Sequence, residues 1–516
     1  MTDETPDREA KAAGRSQPTQ GGGATAQQAT GRSRTTQGEK ATAQQAAGRS
    51  RTTQGEAEAA SATSAEHVAR AAAAAARTEA AARSTADSAT ILSRCDILAT
   101  HSSLPDGLIE RVYLSKEHAE VNALAAEWMT EAGMTTWQDA AGNQCGRLEG
   151  AVPGLPALLL GSHLDTVPSA GRYDGILGVL TAIAVVQRIQ ESGRRLPFAL
   201  EVVAFADEEG TRFGRALLGS RALAGTWDDA WWELHGEDGI TLRDAFTAWG
   251  LDPARVGEAA RRPEELVGYL EAHIEQGPSL EDENRALGIV SSIAGARRFL
   301  VTVIGKAGHS GTPYERRRDA LAGAAEAIVA IERIARSAQL IATVGHLEVF
   351  PDAVNVIPGK VEFSLDLRGE YDSERDRIWT VIQDTLSDIS GRRQLRWESV
   401  ETHSAPAAVC SARLRGVIAE GIRSTGDQRP ISLFSKAGHD AMAVAEITEI
   451  GMLFVRCEGG VSHNPAEHVT EDDVAKTIDA FERAVLALAD ATEADATEAD
   501  ATEAEVTDDA RGIETP

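Results

Sequence analysis

Five short fragments hold most of the residues in this chain that could do chemistry. They are Gly161-Ser162-His163-Leu164-Asp165, Tyr173-Asp174-Gly175, Asp207-Glu208-Glu209-Gly210, His273-Ile274-Glu275-Gln276-Gly277 and Ser462-His463-Asn464-Pro465. Together they offer three histidines, an aspartate able to bridge and an adjacent Glu-Glu pair. A two-metal hydrolase needs such a set. Each ion takes nitrogen and oxygen donors, and a shared carboxylate holds the ions ~3.5–4 Å apart. One further carboxylate must stay off the metal to take a proton from water. Glu208-Glu209 is the sharpest signal, because neighbouring carboxylates repel unless a cation is near. Asp165 can orient the His163 imidazole from behind. Asp174 has a second, compatible reading as the N-cap of the helix that follows. Singly, His273 reads as structural and His463 as a loop residue; the joint pattern carries the metal reading.

Strand ends must position these residues. Leu155–Leu160, Leu200–Phe205 and Leu266–Ala272 are apolar runs of the buried-strand type. His163, Glu208, Glu209 and His273 fall just past them, where open α/β sheets build their sites. Ser115–Gly133 and Ile176–Ile189 read as helices. From residue 292 to 403 the order changes to strand Phe299–Ile304, helix Asp319–Ser337, strands Ala342–Phe350 and Lys360–Arg368, helix Ser373–Ile389 and strand Gln394–Val400. That order predicts a ferredoxin-like α+β domain inserted into an α/β domain. The main domain would occupy 88–291, resume at 404–488 and end with the helix Glu471–Leu488.

The flanks read differently. Residues 1–87 are poor in large apolar side chains and carry a repeat, with Ala24–Glu39 returning nearly unchanged as Ala41–Glu56. Such a segment is expected to be disordered. Residues 489–516 repeat Ala-Asp-Ala-Thr-Glu and read as an acidic, solvated tail. The 516 residues carry a net charge of −28 without a basic stripe, which argues against nucleic acid but is compatible with a small anion held by local arginines. Cys95, Cys145, Cys410 and Cys457 form no metal pattern and suggest a reducing compartment. No apolar run approaches the ~20 residues that span a bilayer. The first residues lack a secretion core and include Asp3, Glu4, Asp7 and Glu9. A cytoplasmic protein with no membrane partner is expected.

Gly161–Gly178, Phe205–Phe213, His273–Gly277, Gly308–Gly311, Asn355–Arg368, Ala437–Ala441 and Ser462–His468 resemble the M20 metallopeptidase/amidohydrolase family. More narrowly they resemble its ureido-hydrolysing branch, which contains allantoate amidohydrolase, N-carbamoyl-L-amino acid hydrolase, β-ureidopropionase and ureidoglycolate amidohydrolase. The resemblance spans Ser88–Leu488 and leaves out both flanks. It implies a zinc-peptidase-like catalytic domain with a mixed central sheet and an inserted dimerisation (lid) domain. It also implies two divalent ions per subunit, whether Mn²⁺, Zn²⁺, Co²⁺ or Ni²⁺. His163 and His273 would be terminal ligands, Asp174 the bridge, Glu209 a ligand, and His463 the last ligand of the second ion. Glu208 would be the general base, and Asp165, behind His163, is counted among the catalytic residues.

In the inserted domain the resemblance makes His309 the group that crosses a homodimer interface and steadies the oxyanion in the partner's site. It makes Asn355, Arg368, Gln276 and His439 substrate contacts. Ala296-Arg297-Arg298 resembles the Gln-Arg-Arg run of allantoate amidohydrolases, in which the first arginine contacts substrate. Strand neighbours face opposite ways, and Arg297 is expected to face the site. The run Ser310–Tyr314 is a residue shorter than is usual after that histidine, so the loop is altered there. The expected reaction is hydrolysis of allantoate to ureidoglycine, ammonia and CO₂. N-carbamoyl-L-amino acids, ureidoglycolate and N-carbamoyl-β-alanine are the alternatives. A metal-free binding or scaffold protein of the same fold is the rival from another class, and metal content separates the two.

Overall fold

The computed structural model describes the backbone from Arg49 to Arg511; residues 1–48 and 512–516, with all of the repeat unit Ala24–Glu39 and the first half of Ala41–Glu56, lie outside the described residues. The chain divides into a stretch up to Ala75, described only as helix from Arg49 onward, and a unit from Ala76 that holds everything below.

Four apolar runs form the parallel heart of the larger domain. The strands before the insertion are β1 (Thr135–Gln138), β2 (Gln144–Leu148), β3 (Ala157–His163), β4 (Ala199–Phe205), β5 (Leu266–Ile274) and β6 (Leu287–Ile293). Seven follow in the insertion: β7 (Gly295–Ile304), β8 (Gly308–His309), β9 (Ile341–Thr343), β10 (Leu347–Phe350), β11 (Val356–Ile357), β12 (Lys360–Gly369) and β13 (Arg396–Ala405). The chain returns through β14 (Ala408–Val409), β15 (Ile431–Ser435) and β16 (Ile450–Val455). The large sheet runs β1-β2-β4-β3-β5-β16-β6-β14, with β15 also on β6. β4, β3, β5 and β16 are mutually parallel, while β2 and β6 flank them antiparallel. This is the mixed α/β sheet expected. Every residue of β3, β4 and β16 is buried, as strands covered on both faces must be.

The helix Ile176–Ser192 covers one face and buries twelve of its residues. Gly175 takes its N-cap position at φ 72°, where a Cβ would strike the His163 ring. Asp174 therefore does not cap the helix, and its carboxylate is free for other partners.

The insertion is a sheet of order β10-β12-β7-β13 with β9 beside β12. The helices Ala320–Ser337 and Asp372–Arg393 lie on one face of it, the ferredoxin-like order of strands. Phe299, Val301 and Val303 of β7 point at those helices, and Phe299 stacks on Trp379 with ring centroids 3.8 Å apart. The strand read over 342–350 is two strands, broken at Val344-Gly345-His346 and paired with opposite ends of β12.

Both flanking expectations need correction. The helix Arg49–Ala99 reaches into the segment expected to be disordered. Buried Arg188 holds Asp87 at 2.6 Å, Asp479 at 2.8 Å and Glu482 at 2.9 Å, and the Ser84 hydroxyl donates to Asp479. A buried guanidinium needs these carboxylates, so order begins before residue 88. At the other end the helix Glu471–Arg511 continues past 488, with Ala489 buried and Asp490 paired to Arg194. Ala and Glu are strong helix formers, which suits the repeat to helix.

Candidate active site

All four parallel strands deliver site residues at their carboxyl ends. β3 ends in His163, β5 carries His273 one residue before its end, β4 leads into Asp207-Glu208-Glu209, and β16 leads into the loop that holds His463. Asp207 and His463 both take positive φ, 60° and 54°, so the chain turns sharply at each. Asp165 ties two of these ends together: its Oδ1 accepts the Glu208 N–H and its Oδ2 the Glu209 N–H, each at 3.1 Å.

The histidines are arranged to offer lone pairs. His163 Nδ1 lies 3.0 Å from the Asp165 carbonyl oxygen, and His273 Nδ1 lies 2.9 Å from that of Ile274. Placing the ring proton on Nδ1 leaves Nε2 as an acceptor, the arrangement that outer partners impose on ligating histidines. His163 Nε2 is 3.8 Å and His273 Nε2 3.2 Å from Asp174 Oδ1. The buried His273 Nε2 has no hydrogen-bond partner. On the other side, His463 Nε2 is 3.2 Å from Asp174 Oδ2 and 3.4 Å from Glu209 Oε1. Four compact donor groups result among the described residues; besides Glu271/His273/His439 and His163/Glu208/Glu209 there are His163/Asp174/His273 and Asp174/Glu209/His463, and these last two share Asp174. Two nitrogens with an oxygen, and one nitrogen with two oxygens, suit borderline divalent ions. Glu208 stands in neither Asp174 group but lies within reach of His163 and Glu209.

The electrostatics show how much negative charge is gathered here. Burial, with repulsion from Glu209 and Asp440, raises Glu208 well above the carboxylate range against the pull of His163. Burial and Asp174 push Glu209 up to about 7. His463, bonded to Asp174, is lifted to about 9. Burial would lower His163, but Glu208, Asp165 and Asp174 outweigh it and raise the group. A cluster of this kind favours cations.

The remaining expected residues fall into three sets. Gln276 donates to Asp174 Oδ2 at 2.8 Å and lines a cleft of ≈ 380 Å³ together with Arg368. Arg368 grips Asp366 through Nε at 2.8 Å and Nη2 at 3.2 Å, and its Nη1 donates to the Lys436 carbonyl at 2.8 Å. These two stand with the cluster. His309 and Asn355 do not: both are exposed at the two-stranded β8–β11 pair, joined by a Ser310 N–H to Asn355 O bond of 3.0 Å. Among the described residues no hydrogen bond or ion pair links either to the Asp174 cluster. His439 and Arg297 are the third set.

His439 is 1 % exposed, bonded to Ser435 Oγ at 2.7 Å, with its ring 4.4 Å from that of His273. It braces His273 from behind and does not line the cleft, which corrects its expected place at the substrate.

Arg297 is the larger correction. It shares the Phe299 face of β7, sits over the Phe299 ring at 5.0 Å and pairs with Glu401 at 2.7 Å and Asp376 at 3.1 Å. Arg298 faces the other way, and its Nε donates to Asp366 Oδ2 at 2.9 Å. It thus shares one carboxylate with Arg368, in a cleft of ≈ 540 Å³. The apolar alternation Phe299, Val301, Val303 held this answer, since the odd positions had to face the core.

The profile of peptidase family M20/M25/M40 matches residues 159–487. An N-carbamoyl-L-amino-acid amidohydrolase from Pseudomonas sp. (strain NS671) is 40% identical over 372 residues, 71% of this chain and 90% of that protein. Allantoate deiminase from Arabidopsis thaliana is also 40% identical, over 399 residues, 71% of this chain and 76% of that one. The solved structure of an amidase of the hydantoinase/carbamoylase family from Burkholderia multivorans superposes with TM-score 0.72 at 30% identity, covering 78% of this chain and 98% of that one. The chain belongs to peptidase family M20/M25/M40. Within it, the chain is a metal-dependent amidohydrolase. No helix among the described residues is long and apolar enough to cross a membrane.

Proposed function

We propose that the chain is a two-ion amidohydrolase that cleaves the ureido group of a ureido carboxylate, with allantoate as substrate. The observation that carries this is the pair of donor groups sharing Asp174, with Glu208 beside them and outside both. Divalent ions held there would polarise a carbonyl and make water more acidic. Glu208 takes the proton of the water that attacks the ureido carbon and returns it to the leaving nitrogen. The C–N bond breaks, ammonia leaves, and the remaining carbamate releases CO₂. Asp165 holds Glu208 and Glu209 in place through their backbone N–H groups.

Arg298 and Arg368 support allantoate. Two guanidiniums on one carboxylate suit a substrate with two acceptor ends, a carboxylate for one and a second ureido oxygen for the other. An N-carbamoyl amino acid with an apolar side chain has no use for the second. Identity does not choose, since relatives of both kinds stand at 40%. Arg298→Ala is expected to lower kcat/KM for allantoate by ~10–100-fold, the worth of a charge-assisted contact. Arg297→Ala should stay within about threefold of wild type, as expected for an exposed ion pair. The reverse ranking in ammonia-release kinetics would overturn this use of Arg298. A preference for N-carbamoyl-L-amino acids that Arg298→Ala leaves unchanged would make the chain a carbamoylase.

His309 and Asn355 belong to the site of a second copy in this reading. Nearby Tyr314 and Val354 are 80% and 109% exposed, as residues awaiting a partner surface would be. The four buried free cysteines fit a reducing, cytoplasmic setting.

Ion binding should depend on pH. An imidazole binds metal only when neutral, so each ion displaces protons. His463, lifted to about 9 by Asp174, is protonated in the ion-free site below that pH. Affinity therefore falls as pH drops, by up to ~10-fold per unit for each proton displaced. Mn²⁺ titrated at pH 6 and pH 8 should bind at least ~10-fold more weakly at pH 6. Equal affinities would contradict the assignment of His463 as a ligand.

A further inference from the structure

We infer that Glu467 is a positioning residue that sets the Asp174/Glu209/His463 half of the ion site. The inference rests on the two-ion reading above. Glu467 is 3 % exposed, and nothing in the chemistry of Glu208 calls on it. One of its oxygens, Oε1, accepts two backbone N–H groups, from Tyr173 at 2.8 Å and from Asp174 at 3.1 Å. The other, Oε2, lies 3.0 Å from Ser462 Oγ, which in turn lies 2.8 Å from Asp174 Oδ2.

These bonds join two loops nearly 300 residues apart. One carries Asp174 and the other carries His463, and the two ligands meet only through the fold. A carboxylate between them touches both: it holds the Asp174 backbone directly and shares the single Ser462 hydroxyl proton with the Asp174 side chain. Its own loop is set by the Glu467 N–H, which donates to the Asn464 carbonyl at 2.9 Å. Gly171 completes the seat, because a Cβ there would collide with the Glu467 carboxyl group. His163 and His273 take their orientation elsewhere, from the Asp165 and Ile274 carbonyls. Loss of Glu467 should therefore weigh more on the Glu209/His463 ion than on the other, which keeps two histidines that Glu467 does not set.

The test is a Mn²⁺ or Co²⁺ titration of the full chain, read by bound equivalents and by the visible spectrum of Co²⁺. Glu467→Ala is expected to bind the first equivalent within about threefold of wild type and the second ~10–100-fold more weakly, the usual effect of removing a ligand's outer partner. The Co²⁺ bands of the second equivalent should shift, and excess Mn²⁺ should restore kcat. Glu467→Gln keeps an acceptor for both N–H groups and should recover most of the affinity. Gly171→Ala displaces the carboxyl group without removing it and should reproduce the loss, which covers the case in which Glu467→Ala folds poorly. Two equivalents of unchanged affinity in both Glu467→Ala and Gly171→Ala would overturn the role of Glu467. A wild-type chain that binds fewer than two would instead overturn the two-ion reading.

Discussion

Glu208→Gln is expected to lower kcat by ~10²–10⁴-fold while fold and ion content stay as in wild type. The size follows from what the carboxylate alone can do. Glutamine has the same length and can keep the backbone bond to Asp165, which uses the residue 208 N–H and not the side chain. It cannot take a proton from water or hand one to a leaving nitrogen. Glu208 stands in neither of the Asp174 groups, although its carboxylate lies close to His163 and Glu209, so on the two-ion reading its loss removes no ligand. Burial already disfavours its charged form, and the direction suits a group that must both accept and return a proton. Steady-state ammonia release, circular dichroism and metal analysis on one preparation check all three parts. A variant with wild-type turnover, or one that loses its ions, would exclude Glu208 as the base.

Asp174→Asn should do the opposite: ion content falls first, and activity falls with it. Asp174 is the one residue shared by both donor groups, with Oδ1 toward His163 and His273 and Oδ2 toward His463. An amide keeps the shape but offers one neutral oxygen in place of two charged ones, so it cannot join two cations. Bound ions should drop from two per chain to one or none, and kcat/KM by at least ~10²-fold, beyond the loss typical for an outer partner. The ion-linked rise in stability should vanish as well. At an ion concentration a hundred times Kd, wild type gains ~2.7 kcal/mol per site. A thermal melt with and without Mn²⁺ reads this directly. An Asp174→Asn protein with two tightly held ions would refute the shared-carboxylate arrangement.

Much of the site was legible because of where its residues sit. Strands buried on both faces read as nearly continuous apolar runs, interrupted here by Glu201 and Glu271, so the ends of β3, β4 and β5 could be found and the polar residues after them noticed. What spacing could not give was the meeting of Asp174 with His463, which only the fold and the family resemblance bring together. β16 escaped notice because a six-residue apolar run has no periodicity to separate strand from helix. The region 342–350 read as one strand because Gly345, the residue at the break, is flanked by residues that suit a strand on both sides.

Arg297 shows a different limit. The two-residue period was known, but the choice of face followed the family pattern and not the apolar residues beside it. His439 lies in a motif next to the site yet turns inward to Ser435. Glu467 was contained in the run Ser462–His468 and passed over, because a carboxylate that bonds backbone N–H groups leaves no signature in sequence. The end of the N-terminal order was misplaced for a related reason. Ser84 and Asp87 are fixed by buried Arg188, a contact 101 residues away for Asp87.

The most direct test is ammonia release by the Mn²⁺-loaded chain on allantoate, N-carbamoyl-L-amino acids, N-carbamoyl-β-alanine and ureidoglycolate, with a dipeptide panel alongside. A ureido amidohydrolase yields one ammonia per turnover on ureido acids, with the highest kcat/KM for allantoate, and leaves dipeptides intact. Dipeptide hydrolysis without ammonia from any ureido acid would contradict it.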